Sequence, residues 1–119
     1  MTMEFAVNFV NEWIEAWNAH DLDKILSHYS DDFSIETPMA LKIFPESNGI
    51  ITGKSNVRQY WTIGIERIPN LKFELLDLLI GVNGLTIYYV NTATNKKSVE
   101  VMNFDKNKKV NKAIVNYSE

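Results

Sequence analysis

The sequence predicts an α+β fold in which three helices cover one face of a strongly curved, mostly antiparallel sheet. Apolar residues recur at helical spacing in much of the first half of the chain, and with a period of two from residue 71 onward. Asn83-Gly84, between two of the predicted strands, is a strong hairpin signal. Helices and strands segregated along a chain in this way are typical of the α+β class.

The first two predicted elements form a helical hairpin. Apolar residues recur every four positions from Phe5 to Trp17 and form one stripe, and Thr2 is placed to cap this helix. Residues 18–21 interrupt the pattern, and Asp21 is a suitable cap for a second, shorter helix.

The middle of the chain contains the least regular segment. Residues 30–32 indicate a turn, and the alternation in residues 33–37 predicts a strand that Pro38 ends. Residues 39–53 show no clean period, which predicts a long irregular loop of the kind that often serves as a lid or binding segment. The sequence leaves open whether this loop closes over a site. Helical spacing returns in residues 54–67.

The last part of the chain is predicted to be a meander of four strands. Three helices over a strongly curved sheet would leave a conical cavity between the two layers. The predicted strands cover residues 71–82, 85–91, 97–104 and 110–117.

Composition excludes several classes of function. The 119 residues are 45% hydrophobic and 23% charged, which is typical of one globular domain covering residues 1–119. The absence of cysteine excludes disulfides, thiolate metal sites and cysteine nucleophiles. A net charge of -3 with scattered basic residues argues against a nucleic-acid partner. We see no signal peptide and no apolar run long enough to span a membrane, so we expect a cytoplasmic protein.

Four motifs resemble those of the nuclear transport factor 2-like superfamily, and most closely its SnoaL-like branch. The resemblance covers essentially the whole chain and implies a cone-shaped, cystatin-like α+β barrel. It does not imply one chemistry, because the superfamily includes polyketide cyclases, ketosteroid isomerases, dehydratases, epoxide hydrolases and proteins that only bind partners. The motifs are Trp17–Asp23, Tyr29–Phe33 with Thr37-Pro38, Gly53–Trp61 and Asn107–Val110.

The ketosteroid isomerase pattern is only partly present. In that family a carboxylate acts as the base, and a tyrosine and a protonated carboxylic acid form the oxyanion hole. The matching positions here are Thr37 for the base, Trp13 for the tyrosine and Glu100 for the acid. One role of three is retained, so the resemblance does not imply a steroid isomerase.

Glu100 is the main catalytic candidate. It alternates with Ser98 and Met102, and the resemblance places that strand face toward the cavity. A carboxyl group among apolar neighbours has a raised pKa, which suits a hydrogen-bond donor or a base. The alternative interpretation makes Val99 and Val101 the core and leaves Glu100 in solvent or at a subunit interface.

Aromatic residues recur in nearly every predicted element, and most are expected to be core. Tyr60 and Tyr117 are the candidate hydrogen-bond donors beside Glu100. An apolar pocket with one carboxyl group and a few donors suits a flat hydrophobic ligand with a carbonyl group. The other residues predicted to line the pocket are Trp13, Trp17, Tyr29, Phe33, Thr37, Trp61, Met102 and Phe104.

The remaining polar candidates have mainly structural interpretations. Glu36 is expected in solvent, and Asp32 at a turn, with a functional role as its alternative. His20 is expected to be exposed and His28 partly exposed, with a general base as the alternative for His28. No His, Asp and Glu cluster has metal-ligand spacing, so we predict no metal site and no cofactor.

The outer face of the sheet is also predicted to be apolar. Leu76, Leu78, Val99 and Val101 alternate with the cavity-facing residues and are too apolar for a bare surface. The superfamily resemblance implies that a second copy covers this face, so we expect a homodimer. Asp77 lies among these residues and should be paired or exposed.

Three functional hypotheses remain open. The first is a cofactor-independent enzyme of isomerase, cyclase or dehydratase type, which transfers protons on a small hydrophobic carbonyl compound. The second is a pocket that binds such a compound without catalysis. The third is a protein-interaction module. The sequence does not decide whether the protein is an enzyme.

Overall fold

A computed structural model describes residues 1–118 and shows helices packed on one face of a six-stranded curved sheet, so the predicted α+β fold is confirmed. The strands lie in the order β2-β1-β6-β5-β4-β3, and all neighbours are antiparallel except β1 and β6. The helices are α1 (Met3–Asn18), α2 (Leu22–Leu26), α3 (Pro38–Ile43) and α4 (Lys54–Arg67). The strands are β1 (Tyr29–Glu36), β2 (Ile50–Thr52), β3 (Phe73–Ile80), β4 (Gly84–Asn91), β5 (Lys96–Phe104) and β6 (Val110–Tyr117).

The two predicted helix caps are confirmed. The Thr2 side chain accepts a hydrogen bond from the backbone N–H of Phe5, at 3.1 Å. The Asp21 side chain accepts one from the N–H of Lys24, also at 3.1 Å. Each cap satisfies a backbone donor that the first turn of its helix leaves free, so the hairpin of α1 and α2 begins where the sequence predicts.

The prediction of an irregular loop at residues 39–53 is wrong. This segment completes helix α3, continues through a short 3-10 turn at Pro45–Ser47 and ends in strand β2. Thr37 caps α3, and Pro38 occupies its first turn, where a missing N–H costs nothing. The short length of these elements, of six, three and three residues, explains why no hydrophobic period is visible.

The predicted turn at residues 30–32 is also wrong, because β1 already begins at Tyr29. Tyr29 pairs with Val110, but the next aligned pair is Ser34 with Lys112. The strand is therefore irregular between these pairs, and the exposed Asp31 and Asp32 lie in that irregular part. A polar, irregular strand segment resembles a turn when only the sequence is available.

A bulge in β3 changes which side chains face outward. Leu75 pairs with Tyr89, but the next pair joins Asp77 to Tyr88, so Leu76 is an extra residue on this strand. Alternation resumes one position later, which turns Leu78 toward the helices. The expectation that Leu78 lies on the outer face is therefore wrong, since it packs against the core.

Candidate functional site

A cavity of about 780 Å³ lies between helices α3 and α4 and the inner face of the sheet. Strands β4, β5 and β6 contribute its polar floor, and the end of α1 and residues 68–73 complete its wall. Its lining is mostly apolar and aromatic with a few polar groups, as in many small-molecule sites. The polar floor consists of Tyr89, Asn91, Ser98, Glu100 and Tyr117, and Tyr60 faces it from α4.

Glu100 is the buried carboxyl group of this cavity. Its residue is 4% exposed, and β5 holds it between Ile87 of β4 and Val115 of β6. The hydroxyl of Tyr89 donates a hydrogen bond to its Oε2 atom, at 2.9 Å. Burial raises the pKa of Glu100 to about 7, while the hydrogen bond from Tyr89 opposes that rise. Both protonation states of this side chain are therefore populated near neutral pH.

The charge of Glu100 affects the pKa values of four tyrosines. Burial is the main cause that raises the pKa of Tyr29, Tyr60, Tyr89 and Tyr117, and the negative charge of Glu100 adds to the rise in each. All four hydroxyl groups therefore stay protonated at neutral pH. Tyr60, Tyr89 and Tyr117 also line the cavity, so their hydroxyl groups are candidate donors there.

Thr37 organises the hydroxyl groups on the side of the cavity next to α3. Its Oγ1 atom donates a hydrogen bond to the hydroxyl of Tyr117, at 3.0 Å, and accepts one from the N–H of Met39, at 3.3 Å. The side chain of Tyr60 lies close to both Thr37 and Tyr117. Thr37 is buried and is not part of the cavity lining, so its function is to position Tyr117 and to cap α3.

Among the residues predicted to line a pocket, Trp17 and Trp61 line the cavity together with Glu100, Tyr60 and Tyr117. Five others lie instead in the buried core, outside the cavity lining. This correction has a physical reason: alternation along a strand identifies the inner face, but it does not show how far the cavity extends along that face. The five are Trp13, Tyr29, Phe33, Met102 and Phe104.

Trp13 illustrates this packing. Its ring lies against those of Phe73 and Tyr89, with centroids 5.7 and 5.4 Å apart. Its indole N–H donates a hydrogen bond to the hydroxyl of Tyr29, at 2.9 Å. Trp13 therefore supports the wall that carries Tyr89, but it contacts no space that a ligand could enter.

Sequence reasoning missed several residues of the site. Tyr89 and Asn91 are inward-facing residues of β4, and Ser98 pairs with Tyr89 across the sheet. Tyr89 and Asn91 alternate with half-buried positions of β4, and this alternation could have identified them as inward-facing. Lys42, Arg67 and Lys96 also line the cavity, at its exposed edge. No local pattern links these three, because they come from different elements.

The two histidines lie outside the cavity. His20 is half-buried rather than exposed, since its Nε2 atom forms a hydrogen bond with the carbonyl oxygen of Leu71, at 2.9 Å. His28 is partly exposed, with its Nε2 atom 3.7 Å from a carboxylate oxygen of Glu12. Burial lowers the pKa of His28, and Glu12 opposes that shift. Neither histidine is part of the cavity lining.

The acidic candidates are surface residues. Glu36 and Asp32 are exposed on β1, and neither belongs to the cavity lining. Asp77 is exposed on β3, as predicted, and accepts a hydrogen bond from the N–H of Leu78 at 2.8 Å. Across residues 1–118, no group of three or more His, Asp or Glu side chains is arranged to hold a metal ion.

The motif at the end of α1 has a structural role. The Asn18 side chain donates to the carbonyl oxygen of Phe73, at 3.0 Å, and accepts from the N–H of Phe73, at 2.7 Å. Together with the bond between His20 and Leu71, this pair fixes the start of β3 against the helical hairpin. Since Leu71 and Phe73 line the cavity, the motif shapes the cavity wall without contributing a reactive group.

Comparisons with known proteins agree with this architecture. A SnoaL-like protein of unknown function from Burkholderia thailandensis has 42% sequence identity, with 99% of this chain and 98% of that chain covered and a TM-score of 0.94. An NTF-2 like protein of unknown function from Burkholderia xenovorans has 20% identity, coverages of 98% and 84%, and a TM-score of 0.75. A protein of unknown function with a cystatin-like fold from Methylobium petroleophilum has 13% identity, coverages of 100% and 79%, and a TM-score of 0.79.

A search of curated proteins gave no significant match. In the part of the chain that the structure describes, every helix is too short or too polar to cross a membrane.

The family described as the SnoaL-like domain matches residues 10–111, which is most of the sequence. With a relative of 42% identity that shares the whole fold, the chain belongs to the SnoaL-like family.

Proposed function

We propose that the protein transfers protons on a small apolar compound that carries a carbonyl group, and that it does so without a cofactor. The observation that carries this proposal is Glu100, a buried carboxyl group in the wall of a large cavity, with a pKa of about 7. A general base or acid is most effective when its pKa lies near the working pH. Here the burial of Glu100 raises its pKa into that range.

The carboxyl group has an oxygen available for the reaction. Tyr89 is its hydrogen-bond partner within residues 1–118, and this bond is made to Oε2. In the proposed step the Oε1 atom of the carboxylate accepts a proton from the carbon next to the carbonyl group. The electron pair of the broken C–H bond moves onto the carbonyl oxygen as an enolate. Glu100 then returns the proton to the same or another carbon, so the overall reaction needs no further reagent.

Tyr117 is the proposed donor to the enolate oxygen. Its oxygen accepts a hydrogen bond from Thr37, which leaves its own proton free for a ligand. The side chain of Tyr60 also lies close to Tyr117. A positioned donor stabilises the charge that develops on the oxygen in the transition state. Tyr117 is 40% exposed, so a ligand entering from solvent would meet it.

Hydrogen–deuterium exchange tests this proposal. The neutral probe is acetylnaphthalene, an apolar ketone whose methyl protons exchange in heavy water when a base removes them. NMR measures the loss of the methyl signal. We expect the wild type to accelerate exchange, and Glu100→Gln to reduce the acceleration by about a hundredfold or more. The matched control is Glu36→Gln, which removes an exposed carboxylate from β1 and should leave the rate unchanged.

Two results would contradict the proposed chemistry. One is a wild type that does not accelerate exchange, and the other is a folded Glu100→Gln variant that is as fast as the wild type.

A non-catalytic pocket is the second candidate function, and the hydroxyl of Thr37 favours it. In the ketosteroid isomerase pattern this position carries the base, and here the hydroxyl group of Thr37 already forms hydrogen bonds with Tyr117 and Met39. Thermal stabilisation by the probe without exchange would support the binding function.

The outer face of the sheet supports a separate proposal of a homodimer. Leu79 and Val101 are exposed there, and both pair with Thr86, which places them on one patch. Leu76 of the same strand as Leu79 is exposed as well. A second copy of the chain would remove this apolar area from water. Light scattering should give the mass of two chains, reduced to one by Leu79→Lys with Val101→Lys. A wild type with the mass of one chain at micromolar concentration would contradict the proposal.

A further inference from the structure

Three basic residues stand around the open edge of the cavity. Lys42 of α3, Arg67 at the end of α4 and Lys96 at the start of β5 all belong to its lining and are exposed. We refer to these three residues as the basic rim. They come from three separate elements, and the fold brings their positive charges to one cavity.

The basic rim has no acidic partner in the part of the chain that the structure describes. The ion pairs within residues 1–118 involve His28, Lys54 and Arg58, none of which lies at the cavity. The chain as a whole has a net charge of -3, so the three cations around this opening form a local charge of opposite sign to the net charge. Clustered like charges repel one another and attract an ion of opposite sign.

The polarity of the cavity changes from its edge to its floor. Below the basic rim the wall is apolar, with Trp61, Ile65 and Phe73 among its side chains. Among residues 1–118, Glu100 is the one carboxyl group of the lining, and it is buried at the floor beside Tyr89. A compound that matched this order would be anionic at one end, apolar in its body and able to accept a hydrogen bond at the other end.

We propose that the natural ligand is an amphipathic anion, with an apolar or aromatic body inside the cavity and a carboxylate-type group held by Lys42, Arg67 and Lys96. The inference rests on the proposed function for the reacting end of the ligand, and it adds the class of compound that the cavity selects. The basic rim attracts the anion and orients its body toward Glu100. A neutral compound with the same body would lack this attraction.

A pair of probes that differ only in charge tests the inference. Acetylnaphthoate carries the carboxylate, and its methyl ester is the neutral counterpart with the same ketone. Titration calorimetry measures both affinities at low and at high salt. We expect the wild type to bind the carboxylate about tenfold more tightly than the ester, with a preference that high salt reduces. Lys42→Gln, Arg67→Gln and Lys96→Gln together should weaken carboxylate binding and abolish the preference.

The control variant combines Lys24→Gln, Lys106→Gln and Lys112→Gln, which removes three exposed cations elsewhere on the chain. It should keep the preference for the carboxylate. Equal affinities for the two probes in the wild type would overturn the inference, as would a preference that survives loss of the basic rim.

The exchange assay separates this inference from the proposed function. Exchange that needs Glu100 but is equal for the two probes would support the chemistry and overturn the anionic ligand. Tight binding of the carboxylate that needs the basic rim, without any exchange, would support the anionic ligand and contradict the chemistry.

Discussion

The inner face of the sheet has two halves that differ in chemistry although the same strands form both. In one half α1 packs directly on the sheet, and the inward residues of β4 and β5 are Leu85, Ile87, Met102 and Phe104. In the other half the cavity lies above the sheet. There the inward residues of the same two strands are Tyr89, Asn91, Ser98 and Glu100.

The change from apolar to polar residues comes at nearly the same level on neighbouring strands, with Glu100 of β5 one inward position ahead of the others. Ile87 pairs with Glu100, and Tyr89 pairs with Ser98, so the polar positions of β4 and β5 lie side by side. On β6 the change comes between Val115, which faces Glu100 across the sheet, and Tyr117. Buried polar groups are costly without partners, so a set of them at one level of a sheet marks a place where solvent or a ligand reaches the inner face. The comparison shows that the change from apolar to polar inward residues along a strand locates the cavity. Alternation along the strand identifies only which face is inward.

Substitutions in the two halves should have very different effects on stability. Trp13→Ala removes a fully buried ring from the packed half, and we expect the free energy of unfolding to fall by about 3–5 kcal/mol. Ile65→Ala removes a half-buried side chain that already borders the cavity, and we expect a loss of about 1 kcal/mol. Urea denaturation measures both. Equal losses would contradict the division into a packed and an open half.

The open half should also make stability depend on pH. The pKa of Glu100 rises from 4.5 to about 7 on folding, so the folded state holds a proton that the unfolded state releases. This contribution is therefore fully present below about pH 4.5 and is lost as the pH rises to about 7. The shift corresponds to roughly 3 kcal/mol.

Glu100→Gln isolates that contribution because it stays neutral at every pH. We expect the variant and the wild type to diverge as the pH rises, with the variant more stable above neutrality. Denaturation midpoints across this pH range provide the measurement. A constant difference between the two proteins would show that Glu100 is solvated like an ordinary carboxylate.

The smallest predicted effect concerns the hydrogen bond from Tyr89. This bond favours the charged form of Glu100, so its removal in Tyr89→Phe should raise the pKa of Glu100 further. We expect the midpoint of the pH profile for probe exchange to move upward by about one pH unit. Tyr88→Phe is the matched control, since Tyr88 pairs with Asp77 and faces away from the cavity. A shift in both variants would argue against a specific effect of the hydrogen bond.

Much of the fold was predictable from the sequence. Long elements with a clear period, such as α1, α4 and β5, follow the pattern of their apolar residues closely. Short elements were not predictable, because α3 and β2 contain too few residues to show a period. The bulge at Leu76 was also not predictable, since nothing in the leucine-rich strand β3 marks one extra residue.

The candidate site was predictable only in part. Alternation and the family resemblance pointed to Glu100, and the structure places it in the cavity wall. The division between cavity and core was not predictable, because it depends on where α1 stops covering the sheet. The basic rim depends on contacts between distant elements, which a single sequence does not reveal.

The amide of Asn18 also has a consequence for aggregation. Strand β3 is an edge of the sheet, and an exposed edge strand is a template for pairing with another chain. Asn18 occupies both backbone hydrogen-bonding groups of Phe73, and the bulge at Leu76 interrupts the regular spacing of the groups that follow. An incoming strand would therefore find no continuous ladder along β3. The same contact that shapes the cavity wall thus protects the sheet against growth from this edge into fibril-like assemblies.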